Sequence, residues 1–91
     1  MTTVVNVRFH KCDVYIGRGS RWGNPFKIGP DDSRDVVIEK YGDYIIACLE
    51  NSPALVVAFD KLKGKRLGCY CKPLKCHGDI LVELIEGTNG N

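Results

Sequence analysis

No run of apolar residues in this chain approaches the ~20 that a membrane-crossing helix needs. The first residues, Met-Thr-Thr-Val-Val-Asn, lack the basic-then-apolar layout of a signal peptide. These absences predict a cytoplasmic protein with no membrane partner. An even set of cysteines, the mark of a secreted disulfide scaffold, is also missing, because the chain has five. Cys69 and Cys71 are too close along an extended chain to bridge easily. Reduced thiols serving as metal ligands, reactive groups or core filler are the expectation for a reducing compartment. Internal repeats and linkers are absent as well. The 91 residues predict one domain over 1–87 with a frayed tail at 88–91. A domain of this size buries only ~60–65% of its unfolded surface, so its stability margin is thin.

What is present is unevenly distributed. Residues 1–30 hold five bases and one acid, whereas residues 31–50 hold six acids and two bases. Residues 61–75 carry Lys61, Lys63, Lys65, Arg66, Lys72 and Lys75 with no acid. Basic segments meeting in space would concentrate an anion such as phosphate. Lys61, Lys63 and Lys65 read more simply as a solvated helix end, favoured there by the helix dipole.

Val4-Val5-Asn6-Val7-Arg8-Phe9 reads as a strand and Val14-Tyr15-Ile16 as a second extended piece. Residues 17–30 hold too many glycines and prolines for a regular element and form a long loop, often a functional feature in a small domain. Asp32 or Ser33 can cap a helix in which Val37, Tyr41, Tyr44, Ile45 and Cys48 recur at helical spacing to about Asn51. Ser52-Pro53 restarts a helix that buries Leu55, Ala58, Phe59 and Leu62 and closes at Gly64. Arg66 to Cys71 reads as a strand with Leu67, Cys69 and Cys71 on one face. The last helix starts at His77 or Gly78 and stops at Gly87. This order predicts a small α/β sandwich with a short, largely parallel sheet and about three helices. Ligands in such sheets bind beyond the carboxyl ends of the strands, where the loops 17–30 and 71–78 fall.

Cys69-Tyr70-Cys71-Lys72-Pro73-Leu74-Lys75-Cys76-His77-Gly78-Asp79 is the centre of interest. A helix N-terminus lowers the pKa of a nearby thiol and attracts anions, which suits Cys76 as a thiolate and His77 as an acid/base. Asp79 would orient His77 or cap the helix. Three readings stay open. In one, Cys69, Cys71, Cys76 and His77 hold zinc, although the Cys-x-Cys-x4-Cys-His spacing is not a paired knuckle and adjacent Cys76 and His77 reach one ion awkwardly. In another, Cys71, Cys76, His77 and Asp79 form a metal-free reactive site. In the third, Cys69 and Cys71 are small core residues and His77 is a cap. Cys48 reads as core filler.

Gly17-Arg18-Gly19-Ser20-Arg21-Trp22-Gly23-Asn24-Pro25-Phe26 supplies what a nucleotide pocket uses. Arg18, Ser20 and Arg21 would hold a phosphate, Trp22 would stack on a base, and Asn24 would read its edge. Phe26 reads as a core plug. The spacing matches neither a Walker A loop nor a dinucleotide fingerprint.

Taken together, Tyr15-Ile16-Gly17-Arg18, Trp22-Gly23-Asn24-Pro25-Phe26, Gly64-Lys65, Cys69-Tyr70-Cys71-Lys72-Pro73 and Cys76-His77 with Asp79 resemble a domain-of-unknown-function family. Its members are small proteins frequent in bacteriophage and bacterial genomes. The likeness runs from Val14 to Leu84. Tyr70 stands where the family pattern has tryptophan. The resemblance implies that the two segments serve one site, and it carries no reaction with it.

The leading expectation is a domain that binds a nucleotide or related phosphorylated ligand, either as a hydrolase or transferase or by sequestering it. Its rival is a zinc-stabilised nucleic-acid-binding module using residues 61–75. A phage inhibitor acting by protein contact is a third class on which the residues are silent.

Overall fold

The computed structural model describes residues 1–30, 32–71 and 74–89. Lys72 and Pro73 of the cysteine segment, and the last two residues of the expected tail, lie outside the described residues. The sheet has three strands, β1 (Thr3–Asn6), β2 (Val14–Tyr15) and β3 (Arg66–Cys69), in the order β1-β3-β2. Both outer strands pair with β3 in parallel, Val4 and Val14 each standing beside Leu67. Three helices follow the predicted order: α1 (Arg34–Asn51), α2 (Pro53–Asp60) and α3 (His77–Asn89). The expected small α/β fold with a parallel sheet is what the chain adopts.

β1 is shorter than its apolar run suggests, for a local reason. The Asn6 side chain accepts from the Arg8 N–H at 2.9 Å, and its carbonyl takes the N–H groups of Phe9 and His10, both at 3.0 Å. This turn ends the strand and leaves Phe9 in solvent. The chain then reaches β2 through residues 7–13 alone, although parallel strands usually need a dozen or more residues to cross over. The short path runs over the face of β3 at Gly68. A Cβ there would lie 2.5 Å from Cys12 Sγ and 2.5 Å from Val7 Cγ1, so only glycine fits beneath the crossing. Gly68→Ala is expected to destabilise the protein by about 1–3 kcal/mol through overpacking, read as a lower urea midpoint at unchanged slope.

Ser33 caps α1, its hydroxyl accepting from the Val36 N–H, and Ser52 does the same for α2 through Leu55 with Pro53 at the first helical position. α2 ends at Asp60, and the chain turns back to β3 with Gly64 at φ +78°. α3 continues to Asn89 rather than stopping at Gly87, so residues 88 and 89, expected in the frayed tail, belong to the helix. α3 starts close against the sheet, where a Cβ on Gly78 would meet Ile16 Cδ1 at 2.7 Å and Val4 at 3.0 Å. Ile16, Tyr41, Leu67 and Leu81 are fully buried between these layers.

Candidate functional site

At the carboxyl ends of β2 and β3 the chain encloses a cavity of about 400 Å³, within the ~300–1,000 Å³ usual for small-molecule sites. Its walls come from the end of β2 (Tyr15, Gly17, Arg18), the following loop (Asn24, Phe26, Ile28), the first turns of α1 (Arg34, Val37, Ile38) and the segment from Cys69 to His77. The two segments singled out by their residues therefore line one cavity.

The loop is held on α1 by two hydrogen bonds and braced within itself by a third. The Tyr41 hydroxyl donates to the Trp22 carbonyl at 2.7 Å, and the Asn24 side-chain amide donates to the Val37 carbonyl at 3.2 Å. The Phe26 N–H donates to Asn24 Oδ1 at 2.9 Å. Asn24 thus lines the cavity, but its amide is already engaged in fixing the loop. Trp22, expected to stack on a ligand ring, faces the core instead. It is 5% exposed and packs against Phe59 with ring centroids 6.0 Å apart. A large ring this close to the carbonyl that Tyr41 captures is worth more as buried apolar area than as an open platform. Ser20 turns its hydroxyl onto the Gly17 carbonyl at 2.6 Å. Neither Ser20 nor the exposed Arg21 reaches the cavity wall; of the three anion-binding residues expected there, only Arg18 does.

The aromatic surfaces come from Tyr15, Tyr70 and Phe26 rather than Trp22, and the other cations are Arg34 and, from the basic stretch 61–75, Lys75. Tyr15 and Tyr70 meet edge to face at 6.3 Å, both partly in solvent, and Phe26 stands on the wall against Tyr44 rather than plugging the core. Arg34 lines the cavity and donates to the Lys75 carbonyl at 3.1 Å, tying α1 to the cysteine segment. Lys75 is a wall residue too, and its ammonium lies 3.5 Å from Asp35. Among the described residues no carboxylate lines the cavity. The signal for Arg34 was present in its position, since the first residue of a helix capped by Ser33 must sit at the same sheet end as the loop.

The cavity floor is made by thiols. The sulfurs of Cys69, Cys71 and Cys76 all lie within 4.8 Å of one another, with Cys69 and Cys76 buried at 3.0 Å. Three such close cysteines could hold a metal ion. Cys76 is the N-cap of α3, and its sulfur accepts from the Gly78 N–H at 3.3 Å. The Cys69 sulfur beside it and its burial push the Cys76 thiol up in pKa, against the smaller pull of the Gly78 N–H. Without a cation this residue is a thiol, not the thiolate that the helix end alone would favour. A bound metal ion reverses that balance.

His77 lies outside the group of ligand atoms that the three sulfurs form within 4.8 Å. Its Nε2 is 2.7 Å from the Ile16 carbonyl, which makes Nε2 the protonated nitrogen, and its Nδ1 faces Cys76 Sγ at 3.5 Å. The ring is buried, edge-on to Tyr41 at 5.0 Å. Asp79 supplies the reaching-back half of a capping box: its carboxylate accepts from the Cys76 N–H at 3.0 Å, and its own N–H donates to the Cys76 backbone carbonyl at 2.9 Å. Asp79→Ala is expected to cost about 0.5–2 kcal/mol in a urea melt, and Asp79→Asn, which keeps an acceptor, distinctly less. Equal losses from the two variants would show that the charge rather than the cap matters.

The family model for a domain of unknown function, DUF4326, matches residues 3–87. The chain belongs to this family. The expected membership in a domain-of-unknown-function family holds for DUF4326, and so does the phage association. The chain is 39% identical over 84 residues to the "Uncharacterized 12.4 kDa protein in nrdA-td intergenic region" of Enterobacteria phage T4, covering 91% of this chain and 76% of that protein. It is 37% identical over 93 residues to "Uncharacterized protein R718" of Acanthamoeba polyphaga mimivirus, covering 82% of this chain and 68% of that protein. No solved structure matches. No described helix of this DUF4326 domain is long and apolar enough to cross a membrane.

Proposed function

We propose that this domain binds a small phosphorylated ligand bearing a ring, nucleotide-like in its chemistry. The observation that carries the reading is the cavity wall: Arg18, Arg34 and Lys75 beside Tyr15, Tyr70 and Phe26, with no described carboxylate among them. Guanidinium forks suit a phosphate and partly exposed rings suit a base or similar flat group. Binding is better supported than turnover by His77, whose Nε2 is committed to the Ile16 carbonyl.

A thermal-unfolding panel of nucleoside mono-, di- and triphosphates, with orthophosphate as control, tests the reading. A matching compound at 100 times its dissociation constant stabilises by ~2.7 kcal/mol, on the order of 10 °C for a domain of this size. No shift with any member overturns it.

A second reading rests on the thiol floor: Cys69, Cys71 and Cys76 hold zinc. Coupling this to nucleic-acid binding draws less support, because no described contact gathers the basic residues of 61–75 together. Lys61, Lys63 and Lys65 precede β3 and Lys75 follows it, with a four-residue strand of roughly 13 Å between. About one zinc per chain in protein purified under reducing conditions supports the second reading, and metal-free folded protein overturns it.

A further inference from the structure

The cavity wall and its thiol floor are continuous, and this bears on how a metal ion would be held. Cys69, Cys71 and Cys76 all line the cavity and come from three different places: the end of β3, the exit from it, and the N-cap of α3. Tetrahedral zinc with bonds of ~2.3 Å needs sulfurs ~3.8 Å apart. The trio brackets that spacing, from 3.0 Å between Cys69 and Cys76 up to the 4.8 Å limit of the group. Only small side-chain rotations separate the present positions from a three-sulfur site.

The neighbouring histidine is placed otherwise. One ring nitrogen is spent on the Ile16 carbonyl and the other faces the Cys76 sulfur, which also receives the Gly78 N–H. A carbonyl on one ring nitrogen is compatible with ligation through the other, but the ligand atoms that gather within 4.8 Å of one another are those of Cys69, Cys71 and Cys76, without His77. The remaining described polar groups on the wall include two guanidiniums and one ammonium, none of which ligates a cation, and no carboxylate.

We infer that the chain forms a three-thiolate site for a zinc-type ion whose fourth coordination position opens into the cavity, with His77 as a positioning residue rather than a ligand. The inference rests on the second reading above. The fourth position is filled from solution, by water or by a donor atom of whatever small molecule occupies the cavity. Three protein ligands with one open position is the arrangement of sites that act on or anchor a small molecule, whereas purely structural zinc sites close all four.

Cobalt(II), added at one equivalent to reduced, metal-free protein, is the probe, read by its visible absorption. The expected result is one ion per chain with tetrahedral bands and sulfur-to-cobalt charge transfer, and a shift of those bands when imidazole is added. His77→Gln, whose amide can still reach the Ile16 carbonyl, keeps the stoichiometry and the bands. Cys71→Ser, at a half-buried position where misfolding is least expected, loses part of the charge transfer and binds at least tenfold more weakly in chelator competition. Failure to bind one cobalt per chain overturns the metal reading and this inference with it. Binding with bands that ignore imidazole, or that are lost in folded His77→Gln, overturns the open three-sulfur arrangement alone and leaves the metal reading standing.

Discussion

Tyr41→Phe is expected to lower the unfolding free energy by about 1–3 kcal/mol, the cost of leaving a buried acceptor without its donor. Tyr41→Ala should cost at least the ~3–5 kcal/mol of a deleted core aromatic. Tyr41 is fully buried, and its hydroxyl is hydrogen-bonded to the Trp22 carbonyl at 2.7 Å. Burial holds its phenol in the protonated, donating form well above the usual range. Its ring also backs His77 at 5.0 Å. One residue of α1 therefore supports both the loop of the cavity and the start of α3. Against a total stability of roughly 5–14 kcal/mol for a chain of this length, the alanine variant removes a large share. Urea unfolding followed by the fluorescence of the single tryptophan, Trp22, measures both. A phenylalanine variant within 0.5 kcal/mol of the parent would mean that the Trp22 carbonyl finds another donor.

The second large effect concerns the ligand. Removing Arg18 and Arg34 together should weaken a phosphorylated ligand by about 100-fold or more, since a hydrogen bond to a charged group contributes ~1.5–3 kcal/mol. Arg18 is exposed on the cavity rim, so Arg18→Ala should leave stability within ~0.5 kcal/mol. Arg34 also donates to the Lys75 carbonyl, and Arg34→Lys separates its charge from its reach. Titration calorimetry with the compound found in the thermal panel, at two salt concentrations, gives the affinity and its ionic component. An unchanged affinity in a folded double variant would place the ligand elsewhere.

Much of this was legible in the residues alone. Ser33, Ser52 and Pro53 announce helix starts through chemistry that acts within one turn, and those starts are where expected. That the two motif segments meet followed from topology, because both sit at carboxyl ends of parallel strands. Assigning individual side chains was harder. Trp22 and Phe26 are both large rings in one loop, and which of them turns inward is decided by Tyr41 capturing the Trp22 carbonyl from 19 residues away. Arg18 and Arg21 are equivalent as letters, yet only the first reaches the cavity wall. His77 adjoins Cys76 in sequence, yet the close group holds only the three cysteines, and the Ile16 carbonyl, 61 residues distant, engages its Nε2. The length of β1 depended on the Asn6 turn, a local signal hidden inside an apolar run.

The order of the strands also governs how the chain can acquire its structure. The middle strand is β3, residues 66–69, and both outer strands bond only to it. During synthesis β1 and β2 emerge early and have nothing to pair with until most of the polypeptide has left the ribosome. α1 and α2 can form meanwhile, but no sheet and no cavity exist in any fragment ending before residue 66. The expected behaviour is a folding reaction slowed by late closure of distant pairings, with no stable half-domain along the way.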